Sequence, residues 1–235
     1  MNRSLARSNI YRMLSRLFHY PDKKFRSFLR DGQWQKELWE SLNILDEKYF
    51  AGCFEDLTSN CSAEKMASPQ EMAIEHERLF SDSLSTIDNG SGYMQDILSV
   101  LPEKMRSSVR SVGDFGKKGE AAENSVSGRT KVKTRCHVQK VKPNIQKAEF
   151  NVKKFEVMAV LAELESKAVC GEKIRLEEVQ LDFLSKFIVP SVSIFCEEVI
   201  ENSTLDFYRT IGFLAREFVK FEENYLGIPE EKDTS

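Results

Sequence analysis

Apolar residues recur at intervals of three and four along most of the chain, which is the spacing of one face of an α-helix. The first such stretch, SNIYRMLSRLF, contains Ile10, Met13, Leu14, Leu17 and Phe18. The sequence HYPD follows, and its proline predicts the end of this helix, because proline disfavours helical geometry in the residue before it. No alternating strand pattern competes with the helical one. We therefore predict an all-α fold.

The same spacing predicts the remaining helices. They are a short helix that ends near Asp31 and Gly32, a helix from about Trp34 to Phe50, a helix over 69–80, one or two short helices within 94–112, and four more within 148–228. Pro190 is expected to end one of these four. The stretch 203–226 is expected to be the longest, with Gly227 and Pro229 as its stop. The prediction is a single compact, bundle-like domain of about nine to ten helices.

The stretch ASPQEMAIEHERLFSD, residues 67–82, has a strong signal for a helix start. Ser68 is a capping hydroxyl, Pro69 takes the first helical position, and Glu71 stands three residues after the cap. Leu79 and Phe80 are expected to anchor this helix in the core. The four titratable residues 75–78 follow one another directly, which fits a solvated face, a catalytic cluster or a recognition surface.

Residues 113–147 differ from the rest in composition. They contain nine Lys or Arg residues and three acids, with almost no large apolar side chains. Such a segment cannot offset the entropy of its own ordering by burial. We predict a flexible basic linker between an N-terminal lobe, 1–112, and a C-terminal lobe, 148–228, with a disordered tail over 229–235.

Composition and charge indicate the size of the core and the compartment in which the protein works. The net charge is −3, apolar residues make up 41%, and there are 16 Phe, so a core of useful size can form. No run of 18 apolar residues exists, and the N-terminus lacks the apolar region of a secretory signal. The five cysteines form no C-x-x-C pair, which indicates reduced thiols. We expect a cytoplasmic protein that does not insert into membranes.

Signatures of common catalytic sites are missing from the sequence. It has no P-loop, no strand-linked G-x-G-x-x-G, no G-x-S-x-G and no H-E-x-x-H, and none of its three histidines stands in a Glu-x-x-His pair. We expect no enzyme activity, no metal and no cofactor. One alternative is an enzyme that uses Glu156 and Glu163 as paired carboxylates. They lie on one helix with Glu165, and we interpret these carboxylates as a face exposed to solvent. Another is a nucleic-acid-associated protein using the basic linker, which has too few aromatic residues for base stacking.

Four segments, in this order, resemble the TorD/DmsD/NarJ-like family of redox enzyme maturation proteins. The first is RSNIYRMLSRLFHYPD, and the second is EHERLFSD, which leads to GSGYM and has His76 where the family often has an aromatic residue. The third is EFNVKKFEVMAVLAELESKAV. The fourth is QLDFLSKFIVPSVSIFCEEVIENSTLDFYRTIGFLAREFVKFE. Together they cover most of the chain outside 113–147 and the last ten residues.

The resemblance implies a cytoplasmic, all-helical chaperone for molybdoenzyme assembly. Such proteins bind the twin-arginine signal peptide, or another terminal segment, of a molybdenum- or iron–sulfur-containing oxidoreductase, and delay its export until the cofactor is inserted. The partner would be the molybdoenzyme catalytic subunit, with no nucleic acid involved. Helical proteins of this kind can exchange halves between two copies, so the resemblance is compatible with a monomer and with a domain-swapped dimer.

A peptide with two arginines and an apolar helix needs carboxylates beside an apolar groove. Candidate peptide-binding residues are found in the second and third segments and in the stretch that follows the second. They are Glu75, His76, Glu77, Tyr93, Glu149, Phe150, Phe155 and Glu156.

Overall fold

The computed structural model describes residues 1–62, 65–80 and 148–227, together with Arg106. Within these ranges every regular element is helical and no strand occurs, so the all-α prediction is confirmed for this part of the chain. Apart from the helical Arg106, the short helices predicted within 94–112, the linker 113–147 and the tail 229–235 lie outside the described residues. The total of nine to ten helices and the division into two lobes stay predictions.

The described helices follow in chain order, with residues 81–147 between the fourth and the fifth. They are α1 (Arg3–Leu17), α2 (Lys23–Arg30), α3 (Gln33–Asn60), α4 (Pro69–Phe80), α5 (Ala148–Lys167), α6 (Cys170–Phe183), α7 (Val189–Asn202) and α8 (Asp206–Leu226), with a π-helical turn, Leu184–Ile188, between α6 and α7.

Local chemistry explains where several helices begin and end. At the start of α4, the Ser68 N–H donates to Glu71 Oε2 at 2.7 Å, and the Glu71 N–H donates to Ser68 Oγ at 3.2 Å. This is the predicted capping box, in which two backbone donors are satisfied reciprocally. The chain ends α8 at Gly227, whose φ of 82° is a left-handed conformation that glycine adopts without steric cost.

Helix α3 is longer than its pattern predicts, and it is kinked. Its backbone becomes extended at Asp46, with φ −164° and ψ 102°, and helical geometry then resumes. The Asp46 carboxylate accepts from the Tyr49 N–H at 3.0 Å and so acts as an internal N-cap for the second half. The kink divides the 28 residues of α3 into two shorter helical halves, and α8, with 21 residues, is the longest of the C-terminal helices, as predicted.

Pro190 does not end a helix as predicted. The π-helical turn precedes it, and Pro190 lies in the first turn of α7. Helical backbone geometry runs unbroken from α6 through the π-helical turn into α7, so Pro190 lies within a continuous helical run and directly after its widest turn. A π-helical turn therefore lies between α6 and α7, at the place where the sequence predicts that a helix ends.

One hydrophobic core joins the residues on either side of 81–147. Helix α1 packs against α5 and α3, and α8 packs against α7 and α3. The Tyr11 ring centre lies 6.1 Å from that of Phe155 and 4.8 Å from that of Phe218, so α1, α5 and α8 meet at one aromatic contact. Close packing of α7 on α8 depends on Gly212, where a Cβ would lie 3.1 Å from Ile200 Cγ1.

A fully buried arginine lies inside this core. Arg7 of α1 donates to both carboxylate oxygens of Glu222 on α8, each at 2.7 Å, and to Glu165 on α5 at 2.8 Å. It also donates to Gln180 of α6 at 2.8 Å. Side chains of Arg7, Glu165 and Glu222 are all 0% exposed. We call Arg7, Glu165, Gln180 and Glu222 the arginine network.

Neighbouring polar groups complete the arginine network. Ser4 Oγ donates to Glu165 at 2.6 Å, and Tyr11 Oη donates to Glu222 at 3.0 Å. Burial alone would lower the pKa of Arg7, but Glu222 and Glu165 raise it well above its ordinary value, so the guanidinium stays charged. The interpretation of Glu165 as part of a solvated face is wrong, because this carboxylate is buried against Arg7.

We expect Arg7→Met to destabilise the protein by about 3–5 kcal/mol, because it leaves the buried Glu222 without a cation and the buried Glu165 with only Lys173, at 3.7 Å. Replacing all three charges at once, with Arg7→Met, Glu165→Leu and Glu222→Leu, should recover most of that loss. Urea unfolding of each variant gives the free energies.

The matched control is Arg209→Met, which removes an arginine from the exposed pair with Asp206. It should cost less than about 1 kcal/mol. An Arg7→Met variant no less stable than this control would show that the arginine network does not hold the helices together.

Candidate functional site

Residues predicted from two distant segments meet around the C-terminal end of α1. The His76 Nε2 atom of α4 lies 3.3 Å from the Phe18 carbonyl oxygen. On the other side, the Phe155 ring of α5 stacks near that of Phe18, with centres 6.2 Å apart, and Glu156 accepts from Ser15 Oγ at 3.2 Å. His76 and Phe155 thus contact Phe18 from α4 and from α5, although the Phe155 ring is buried, and Glu156 contacts α1 at Ser15.

An aromatic cluster fixes α4 on this end of α1. Phe80 lies against His76, with ring centres 4.6 Å apart, and against Phe195 of α7 at 5.8 Å. Phe195 in turn meets Phe18 edge-on at 5.1 Å. Leu79 and Phe80 are both buried, so they anchor α4 in the core as the sequence predicts.

Glu75 is buried and forms hydrogen bonds to the connection between α7 and α8. Its carboxylate receives two hydrogen bonds from Arg78, at 2.7 and 2.8 Å, and further bonds from the Thr204 N–H and from Ser203 Oγ. Burial alone would raise the pKa of Glu75, but the bonds from Arg78 and Thr204 lower it to about 2. The negative charge predicted to face a peptide is thus used to fasten α4 to the connection between α7 and α8.

The other predicted residues differ in how far a ligand can reach them. Phe155 is fully buried, Glu156 is half-buried and Glu77 is exposed. Tyr93 lies outside the described residues. Glu149 and Phe150 belong to the first turns of α5, and their side chains are not described. Their part in peptide binding stays a prediction.

The carboxylates of α5 that suggested an enzyme are engaged by other residues. Glu163 forms ion pairs with Arg12 and Lys167, and its pKa is lowered chiefly by the hydrogen bond from Lys167. Its suggested partner Glu156 accepts from Ser15 Oγ at 3.2 Å, and Glu165 on the same helix belongs to the arginine network. In the residues that the structure describes, no group of three or more acids, histidines or cysteines is placed to hold a metal ion.

Lys154 is a buried cation that sequence reasoning missed. Only 2% of it is exposed, and its ammonium group donates to Ser191 Oγ, which donates in turn to the Phe187 carbonyl oxygen at 2.7 Å. Burial lowers the pKa of Lys154 to about 8. The burial of Lys154 is indicated in the sequence by its position four residues before the core residue Met158, because this spacing places it on the apolar face of α5.

A cleft between α1, α2 and α3 was also not predicted. It has a volume of about 260 Å³. Met1, Asn9, Arg12, Met13, Arg16, Phe28, Glu37, Leu38, Glu40 and Ser41 line it. We call it the α1–α3 cleft. Its only sequence signal is the spacing of Asn9, Arg12 and Arg16, which places a polar stripe along α1.

Comparison with protein-family models, curated proteins and solved structures finds no match for this chain. The resemblance to the TorD/DmsD/NarJ-like family therefore depends on the four quoted segments. Among the helices that the structure describes, none is long and apolar enough to cross a bilayer.

We expect Glu75→Gln to destabilise the protein by about 2 kcal/mol at pH 7, because the charged hydrogen bonds to Arg78 and Thr204 are lost. The folded pKa of about 2 lies below the ordinary value of 4.5. The wild-type advantage is therefore fully present above pH 4.5 and is lost as the pH falls towards 2. Urea unfolding of both proteins at pH 7 and pH 3 measures this.

Glu77→Gln is the control, since Glu77 is exposed on the same helix. It should change the free energy of unfolding by no more than about 0.5 kcal/mol at either pH. A Glu75→Gln effect of equal size at pH 7 and pH 3 would mean that the carboxylate is not held in its charged form.

Proposed function

We propose that this chain is a cytoplasmic chaperone of the TorD/DmsD/NarJ-like type. It binds the twin-arginine signal peptide, or another terminal segment, of a molybdenum- or iron–sulfur-containing oxidoreductase. By occupying that segment it delays export until the cofactor is in place. It acts by binding and carries out no chemical reaction on its client.

The observation that carries this proposal is the convergence of distant segments at the C-terminal end of α1. The four segments that resemble the family fall on α1, on α4, on α5 and on the run from α6 to α8, and the last three each contact Phe18 of the first. Phe18, Phe155 and Phe195 are buried, so these contacts hold the four segments together beneath the surface. The exposed groups next to these contacts form the surface that the proposal assigns to the client.

The exposed groups at this surface suit a cationic, partly apolar ligand. Glu77 and Glu156 carry carboxylates that solvent can reach. Tyr20 is 48% exposed, and its ring meets that of His76 edge-on at 5.3 Å. Arginine pairs well with carboxylates and stacks on aromatic rings, which supports a client segment rich in arginine.

Oligomeric state belongs to the same proposal. Residues on both sides of 81–147 contribute to one core, so a second copy could supply the C-terminal helices in place of the chain's own. We propose an equilibrium between a monomer and a domain-swapped dimer of this kind.

The proposal predicts saturable binding of a labelled twin-arginine signal peptide, with a Kd of about 1–10 μM. Fluorescence anisotropy measures it, and a peptide with both arginines replaced by glutamine should bind at least about tenfold more weakly. Affinity purification of the tagged chain from its native cytoplasm should recover a molybdoenzyme subunit. Absence of saturable peptide binding, together with recovery of no oxidoreductase, would contradict the proposal.

A further inference from the structure

The α1–α3 cleft has a floor of apolar side chains. Met13 and Leu38 are almost fully buried at its base, and the half-buried Phe28 forms the side contributed by α2. An enclosed apolar cavity of about 150 Å³ holds a benzene molecule, whereas pockets for drug-sized ligands usually start near 300 Å³. A cleft of about 260 Å³ therefore suits one large apolar side chain of an incoming segment.

The cations on the α1 wall of the cleft already have partners. Arg12 forms an ion pair with Glu163 of α5. Arg16 lies flat on Phe28, with its guanidinium carbon 3.6 Å from the ring centre. Both side chains thus contribute to the contacts of α1 with α5 and α2.

The acids on the α3 wall are much less engaged. Glu37 and Glu40 are one turn apart and exposed. In the part of the chain that the structure describes, no cation pairs with Glu37, and Glu40 has only Lys36 at 4.0 Å, with both side chains more than half exposed. An exposed pair at that distance contributes little and is easily displaced. This wall therefore offers two carboxylates to a cation.

We propose that the α1–α3 cleft binds the point in a client segment where an arginine stands next to a large apolar side chain. The apolar side chain fills the space over Met13 and Leu38. The guanidinium pairs with Glu37 and Glu40, whose exposed carboxylates stand one turn apart on α3. The choice of an arginine-bearing client rests on the proposed function. The position of the binding site rests on the cleft itself.

The test uses the full-length chain and a fluorescein-labelled synthetic peptide that has two adjacent arginines followed by a leucine-rich run. Replacing both acids, with Glu37→Gln and Glu40→Gln, should weaken binding by about three- to thirtyfold in low salt, because two exposed charge pairs are lost. The matched control, Glu47→Gln with Glu55→Gln, removes the same charge from exposed positions on the same helix and should leave the Kd within about twofold.

A charge reversal provides the converse experiment. The variant with Glu37→Arg and Glu40→Arg should bind a peptide with two glutamates in place of the arginines more tightly than the wild type does. All substituted side chains are exposed, so urea unfolding should show each variant folded with nearly unchanged stability.

The outcomes separate the two proposals. Equal affinity of the Glu37/Glu40 and Glu47/Glu55 variants for the arginine peptide would overturn the cleft as the binding site and leave the chaperone function standing. No saturable binding of the peptide to the wild type would overturn both. Weakened binding confined to the Glu37/Glu40 variant, with the reversed preference, establishes the site.

Discussion

The bidentate contact between Arg7 and Glu222 is the interaction on which the other features of the fold depend. A guanidinium without solvent is tolerated only when carboxylates and further acceptors surround it, and Glu165 and Gln180 provide them. These partners come from three helices, so the network fixes the position of α1 relative to α5, α6 and α8. Helix α1 then presents one end to α4 and one face to α3, and both candidate binding surfaces depend on its placement.

The helices that could be predicted from sequence are those whose signals are local. The capping box of Ser68 and Glu71 and the stop at Gly227 need only neighbouring residues, and both are confirmed. The kink at Asp46 and the first-turn position of Pro190 were missed, because they depend on what the helix packs against on either side. From the local pattern alone, Pro190 is predicted to end a helix.

The buried charges and the cleft are products of tertiary structure, and their local sequence signals, such as the position of Lys154 on the apolar face of α5, do not say which residues they contact. Glu163 and Glu165 stand two residues apart on α5, yet one pairs with Arg12 at the surface and the other is buried with Arg7. Glu75 and Glu77 show the same contrast on α4. Which member of each pair faces inwards depends on how the helix is rotated against its neighbours, so peptide-binding carboxylates could be proposed from sequence only as a group.

Binding of a cationic, partly apolar segment is the central claim, and methionine methyl NMR tests it directly. The chain carries Met1 and Met13 in the α1–α3 cleft, Met72 on α4, and Met158 fully buried in the core. Titration with an arginine-bearing apolar peptide should shift the Met1 and Met13 signals saturably and leave the Met158 signal in place. If no methionine signal moved at millimolar peptide, the chain would not be a binding protein for such segments.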